Sequence, residues 1–275
     1  MISGSKTDTV KEVATAHEGT LDTRFAGELL DAIGPLLGRF VSPGGLTVDY
    51  RGLEACDDYK AYLDKSLSLS RFDPASLESR EEKLAFWINI YNMTVIDRLI
   101  RHSTFDSVWE DRSFFNQDAV RIGNHEYSLD DIEKGILREN VHRQYRPLRQ
   151  FRIWDARNRN MIVPAHECVC FALARGSKSS PILHFYQAEK IEAQLYAAAT
   201  GFINGGGAIL NREEKTLSIS RIFKWHASDF GGGQGVMKFI ANHLSSAEDA
   251  AFLRSHAASL KVSYQYFDRD LNITA

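Results

Sequence analysis

The sequence predicts an α+β fold: a single, mainly helical domain around one buried central helix, with a small antiparallel sheet. Three observations carry this expectation. Leu84, Ile88, Tyr91, Val95 and Leu99 recur at helical spacing between about Ser79 and Arg101, and Phe86, Ile90, Met93 and Ile100 add a second apolar stripe. A helix that is apolar on most of its faces is buried on most of them. Gly123-Asn124, between two short alternating runs at 120–122 and 125–129, is a two-residue hairpin signal. No internal repeat or long linker divides the 275 residues.

Residues 1–22 read as a flexible polar arm, and 23–275 as the domain. Phe25 to Phe40 carries Phe25, Leu29, Leu30, Ile33 and Leu37 at helical spacing despite Gly34-Pro35. Pro43-Gly44-Gly45 turns the chain into a short strand at 46–50, and 51–69 reads as one helix. The central helix opens with Ser79 and, three residues on, Glu82, the spacing of a capping box. After the hairpin, Asp130-Asp131 opens a helix bearing Glu133. A helix ends at Asn204, before Gly205-Gly206-Gly207, and a second hairpin spans 208–220. Residues 221–230 form a short helix, 236–244 and 247–256 two more, and 262–267 a closing strand.

Composition narrows the function classes. A hydrophobic content of 44% and a charged content of 25% are ordinary for a globular protein. The formal charge of −3 gives no general attraction to nucleic acid or to an anionic membrane. No run of ~18 apolar residues is present, so no membrane partner is expected. The first twenty residues lack the apolar core of a secretory signal. Three cysteines make no disulfide framework, and the expected setting is cytoplasmic and reducing. Arg138 to Arg159 holds seven arginines against Glu139 and Asp155. This stretch is either a salt-bridged face or an anion-facing lip. Its few aromatics, Tyr145, Phe151 and Trp154, do not argue for base stacking.

Taken in chain order, several stretches resemble the family called domain of unknown function 547. They are 84–92 (LAFWINIYN), 127–138 (YSLDDIEKGILR), 171–173 (FAL) before a Ser-rich loop, 217–225 with Asp229-Phe230, and the tail at 266–272. Val48-Asp49-Tyr50 fits as well, so the resemblance runs over about 25–274. In that family the segment after the arginine-rich region reads as His-Phe-Ala-Leu-Val-Cys, with a Ser-Cys-Pro following. A Glu, His and Cys there imply an acid–base–nucleophile set of thiol-hydrolase or acyl-transferase logic. By the same resemblance the family His falls here on Cys170, the first Cys on Arg175 and the second on Ser180. An extra segment stands at about 158–169.

The residues themselves allow two readings at each point. Asn89 and Asn92, three apart in an apolar helix, either tie loops to the core or line a site, because a buried amide needs partners. Glu133 is either a carboxylate at a favourable helix start or a buried acid with a raised pKa suited to proton transfer. Cys170 is either a small core residue or a nucleophile activated by Arg175 and Lys178, with His166, His184 or His226 as base. His166-x-Cys168-x-Cys170 would share one face of a strand, yet the spacing is unusual for zinc and no fourth ligand presents itself, so no metal is expected. Trp225, His226 and Asp229 form a possible polar aromatic wall. The Gly-rich stretches at 205–207 and 231–235 lack the Lys-Ser/Thr of a phosphate loop, and no cofactor is expected.

The leading expectation is an enzyme of hydrolase or acyl/amide-transferase type, acting on a small-molecule substrate. Its pocket would lie between the central helix, the Glu133 helix and the 166–181 segment. Glu133, Cys170 and His166 are the expected catalytic residues, and Asn89, Asn92, Arg175, Ser180 and Trp225 the expected substrate-binding residues. The rival is a non-catalytic binding module that meets an acidic partner through the arginine-rich face.

Overall fold

The computed structural model describes residues 20–102, 106–108, 110, 113–117, 119–141 and 148–274. The helices, in chain order, are α1 (Thr23–Phe40), α2 (Tyr50–Ala55), α3 (Asp57–Ser66), α4 (Arg80–Arg101), α5 (Ile191–Phe202), α6 (Arg221–Trp225), α7 (Gly233–His243) and α8 (Ala247–His256). The strands are β1 (Val120–Ile122), β2 (His125–Tyr127), β3 (Ala208–Asn211), β4 (Thr216–Ile219) and β5 (Lys261–Tyr264). The fold is α+β and mainly helical. The arm expected at 1–22 falls almost wholly outside the described residues.

Helix α4 is the axis of the core. Ser79 accepts from the Glu82 backbone N–H while the Glu82 carboxylate takes the Ser79 N–H, so the capping box read from the sequence is present. Acidic residues open the helix and arginines close it, both favourable to its dipole. Leu84, Ala85, Phe86, Trp87, Ile88 and Tyr91 are fully buried, which covers every side of its middle turns. α1, α2 and α5 pack around it, together with the turn at Asp131–Leu137.

Elsewhere the structure departs from the sequence reading in instructive ways. The single helix expected at 51–69 breaks at Cys56, whose extended backbone separates α2 from α3 before a tighter turn at Leu67–Arg71. The strand expected at 46–50 reduces to Val48, bridged to Val41 and Ile273, because Asp49 caps α2 immediately afterwards. The helix bearing Glu133 is a wide π turn, Asp131–Leu137. The sheet is more than antiparallel: β1 and β2 form the expected hairpin, while β3-β4-β5 is mixed, with β5 parallel to β4. No helix among the described residues is long and apolar enough to cross a membrane.

The two amides of α4 splice distant chain onto this axis. Asn89 donates to the Tyr186 carbonyl at 2.7 Å and accepts from the Tyr186 N–H at 3.1 Å. Asn92 donates to the Ala172 carbonyl at 3.0 Å and accepts from the Ala174 N–H at 2.9 Å. Each side chain thus imitates a neighbouring strand for a segment that has none. Asn92→Leu leaves one buried carbonyl and one buried N–H unmatched. It is expected to lower the unfolding free energy by about 2–5 kcal/mol. Urea titration should show a lower midpoint at unchanged slope.

Candidate functional site

Three segments far apart in sequence meet beside Tyr91 of α4. The π turn supplies Glu133 and is followed at once by Arg138. The loop held by Asn92 supplies Arg175. The end of α6 and the turn after it supply His226 and Asp229. Local geometry explains each placement. Ser128 and Asp131 exchange side chain-to-backbone hydrogen bonds at 3.1 Å, fixing the entry to the π turn. Gly176 has a φ of 67°, and a Cβ there would stand 2.5 Å from Leu99 Cδ1, so only glycine lets the chain turn after Arg175 against α4. The Ser180 hydroxyl accepts from the Arg175 N–H at 2.6 Å and holds the loop.

The charges pair with one another, with Arg175 Nε left buried and without a hydrogen-bond partner. Arg175 Nη2 donates to both Glu133 oxygens, at 3.1 and 3.2 Å. Arg138 Nη1 reaches Glu133 Oε1 at 3.3 Å, while its Nε and Nη2 grip Asp229 in a fork at 2.6 and 2.9 Å. Arg175 Nη2 also lies 3.1 Å from His226 Nε2. A guanidinium only donates, so Nε2 accepts and the imidazole proton sits on Nδ1, facing Asp229 Oδ2 at 3.4 Å. The Tyr91 hydroxyl reaches Glu133 Oε2 at 3.5 Å. Two guanidiniums balance two carboxylates around a neutral histidine, with Glu133 3% and His226 1% exposed.

The titration behaviour follows from this packing. Burial pushes the Glu133 carboxyl up, but the Arg175 and Arg138 guanidiniums hold it well below the usual carboxylate range. The raised pKa expected for a proton-transferring Glu133 is therefore corrected: the two arginines outweigh desolvation. For Asp229, burial is likewise overcome by His226 and Arg138, and its pKa is lowered. Burial lowers His226, with the arginines adding to it and Asp229 opposing it. Burial drives the Cys170 thiol well above its ordinary value. Asp229 adds to that, and Arg138 and Arg175 offset only part.

The other expected residues are placed as follows. Cys170 is fully buried in a tight turn at Val169–Phe171, not on a strand, and a thiol with a raised pKa is a poor nucleophile. His166, expected as its base, instead contacts Glu192 through Nε2 at 3.0 Å and accepts from the Cys168 N–H at 3.1 Å through Nδ1. His226 is the histidine brought to Glu133. Cys168 is also buried, and its thiol is pushed up to about 12 by that burial. Asn89 and Asn92, expected to position substrate, position the chain. Arg175, expected to bind an anionic group of a substrate, binds Glu133. Trp225 packs its ring on Phe267 with centroids 4.9 Å apart. Of four clefts formed by described residues, none is lined by Glu133, Cys170, Asn89 or Asn92, and Ser180 lines one.

Much of the arginine-rich stretch is taken up internally as well. Arg157 meets Asp155 at 2.8 Å and Asp131 at 3.1 Å, Arg159 meets Asp73 at 2.7 Å, and Arg138 belongs to the buried set. Arg149 donates to the Asn140 carbonyl, and Arg152 stands over the Trp154 ring. Arg143, Tyr145 and Arg146 lie outside the described residues. The sequence reading missed Arg138 and Tyr91 as members of the site. The sequence places Arg138 at the head of the arginine-rich stretch, and the signal that sets it apart is that it directly follows the apolar pair Ile136-Leu137.

Residues 74–203, just under half the chain, match the model of a family described as a protein of unknown function, DUF547. The resemblance read from the sequence is supported over that span. It covers α4, the π turn with Glu133 and Arg138, and the loop with Arg175, and it ends before His226 and Asp229. Comparison with curated proteins and with solved structures gives no match.

Stability should therefore depend on acid in a defined way. Glu133 and Asp229 have depressed native pKa values, so their contribution is complete above about pH 4, where unfolded carboxyls ionise, and is lost as pH falls through the lower native values. His226 is buried neutral. The unfolded chain takes up its proton first, so its contribution is complete above about pH 6.5 and lost as pH falls below that. The thermal midpoint is expected to be level between about pH 7 and 8, to fall from about pH 6.5, and to fall more steeply below about pH 4. Nitrogen NMR of the imidazoles should show His226 as the neutral Nδ1–H form at pH values where exposed histidines have already titrated.

Proposed function

We propose that this chain is a non-catalytic binding module whose would-be reaction centre has become a structural ion cluster. One observation carries this reading: Arg175 stands where the family resemblance puts a cysteine nucleophile, and its guanidinium lies on Glu133 at 3.1 and 3.2 Å. An arginine at neutral pH is neither nucleophile nor base. A carboxylate held by two guanidiniums is a weak proton acceptor and, being ionised, has no proton to give. Cys170, at the family His position, can neither replace an imidazole nor readily form a thiolate in its apolar turn. The hydrolase or transferase expectation loses its acid, base and nucleophile together.

Binding by the arginine-rich face, the form in which the module was first expected, is not what the charges favour. Arg138, Arg157 and Arg159 already have carboxylate partners. The three cysteines are unpaired, which supports a reducing, cytoplasmic setting for the module.

Glu133→Gln separates the two readings. For a structural cluster it should lower stability by about 3–5 kcal/mol, because two buried guanidiniums lose a shared counter-charge. Ester and amide substrates should show no turnover above buffer with either protein. Turnover by the native chain that Glu133→Gln abolishes, while the unfolding midpoint stays put, would contradict the proposal. Fast native-state labelling of Cys170 by a thiol reagent would count against it too, since a buried high-pKa thiol reacts only when the fold opens.

A further inference from the structure

Among the described residues an open groove lies away from the ion cluster, between α7, α8 and the free side of β5. There Ile219, Phe223, Val236, Met237 and Leu253 floor a groove of about 720 Å³, walled on the far side by Val262 and Tyr264. Strand β5 ends the order β3-β4-β5, so no strand among the described residues covers its outer edge. All four of its residues are exposed, with Val262 42% accessible. Apolar side chains of this size, left open along a trough, mark an interaction surface.

The polar groups of the groove stand at its rim and carry one sign. Gln234, Lys238 and Asn242 follow one another four residues apart along one side of α7. Arg254 of α8 faces them, donating to the Ala241 carbonyl at 3.1 Å and to Asn242 Oδ1 at 3.3 Å. Lys238 and Arg254 are the charged lining residues, and no Asp or Glu joins them. Among the described residues neither pairs with a carboxylate. Lys224 extends the same sign along the far wall, lying 5.3 Å over the Tyr264 ring.

We infer that this groove receives an amphipathic helix of another protein, its apolar face seated on Met237, Val262 and Tyr264 and its acidic flank against Lys238 and Arg254. An open trough between helices and a sheet edge suits side chains spaced three and four apart along a helix. Met237, unbranched and polarisable, adapts to varied anchors. The cationic rim selects acidic flanks and disfavours basic ones. Ile153-Trp154, an exposed apolar tip among the described residues, is a poor occupant, since Arg152 lies over Trp154 and brings like charge to the rim. The inference rests on the binding-module reading only in that the chain binds a partner. Catalytic silence is a property of Glu133, which does not line the groove.

The test uses the full chain and a labelled amphipathic peptide with leucines on one face and glutamates on the other, followed by fluorescence anisotropy. A scrambled peptide of the same composition and a version with lysines for glutamates serve as controls. The glutamate peptide should bind saturably, one per chain, and more weakly as salt rises. Val262→Asp, at an exposed position, should abolish binding. Lys238→Glu should weaken it by about fivefold, the scale of one partly screened ion pair, and improve binding of the lysine peptide. Both variants should keep the native circular dichroism and the stability loss on Glu133→Gln, so failure here is distinct from failure of the catalytic reading. The inference is overturned by no saturable binding, by equal binding of the scrambled peptide, or by indifference to both substitutions. A dimer in sedimentation that Val262→Asp dissociates would also overturn it, assigning the groove to a second copy of the chain.

Discussion

Glu133 stays ionised inside the protein because two guanidiniums arrive on it from different parts of the chain. A carboxylate taken from water to such a place alone faces a penalty of several kcal/mol even after relaxation. Arg175 and Arg138 remove that penalty only if the π turn, the loop after Ala174 and the end of α6 are all in register. Asp229 completes the set by meeting Arg138 in a fork, and neutral His226 accepts from Arg175 while facing Asp229. The cluster is therefore conditional on the whole fold: any one segment displaced leaves a buried charge without its counterpart. Its value lies in specifying one arrangement more than in adding net stability, since well-packed apolar groups often do as well energetically.

The central helix makes this convergence possible by a division of labour. Its hydrocarbon buries against α1, α2 and α5 on all sides, which fixes its position but says little about which loop lies where. Its two amides supply that second kind of information. Asn92 holds Ala172 and Ala174, and so delivers Arg175 to Glu133. Asn89 holds Tyr186, and so leads the chain toward α5. Directional bonds to backbone groups in a dry interior discriminate among arrangements that burial alone would leave nearly equal.

The C-terminal part behaves differently. Its hairpin, α7, α8 and β5 enclose an apolar layer that stays partly open, and the open side is rimmed by cations. The buried cluster has its charges neutralised from within, whereas the groove leaves charge and hydrocarbon facing outward. That contrast is why the two regions suggest opposite roles, one holding the fold and one meeting a partner.

Periodic hydrophobicity made α1, α4, α5, α7 and α8 legible, because amphipathic or wholly apolar spacing reports burial directly. Gly123-Asn124 and the Ser79–Glu82 pair were legible for the same local reason: turn and cap chemistry act within four residues. The break at Cys56, the π turn under Glu133 and the parallel pairing of β5 were not, since each depends on what packs against it from elsewhere. The residue types of the centre were also legible in the sequence, with Arg175 and Cys170 standing where the resemblance put other chemistry. What they do was decided only in three dimensions. A carboxylate's protonation depends on which charges stand within a few ångströms of it, and Arg138 and Arg175 reach Glu133 only once the chain has folded. The sequence by itself determined which segments are helical and which residues are available; the tertiary structure decided that Glu133 is clamped, because electrostatics and hydrogen bonding act through distance and not through order along the chain.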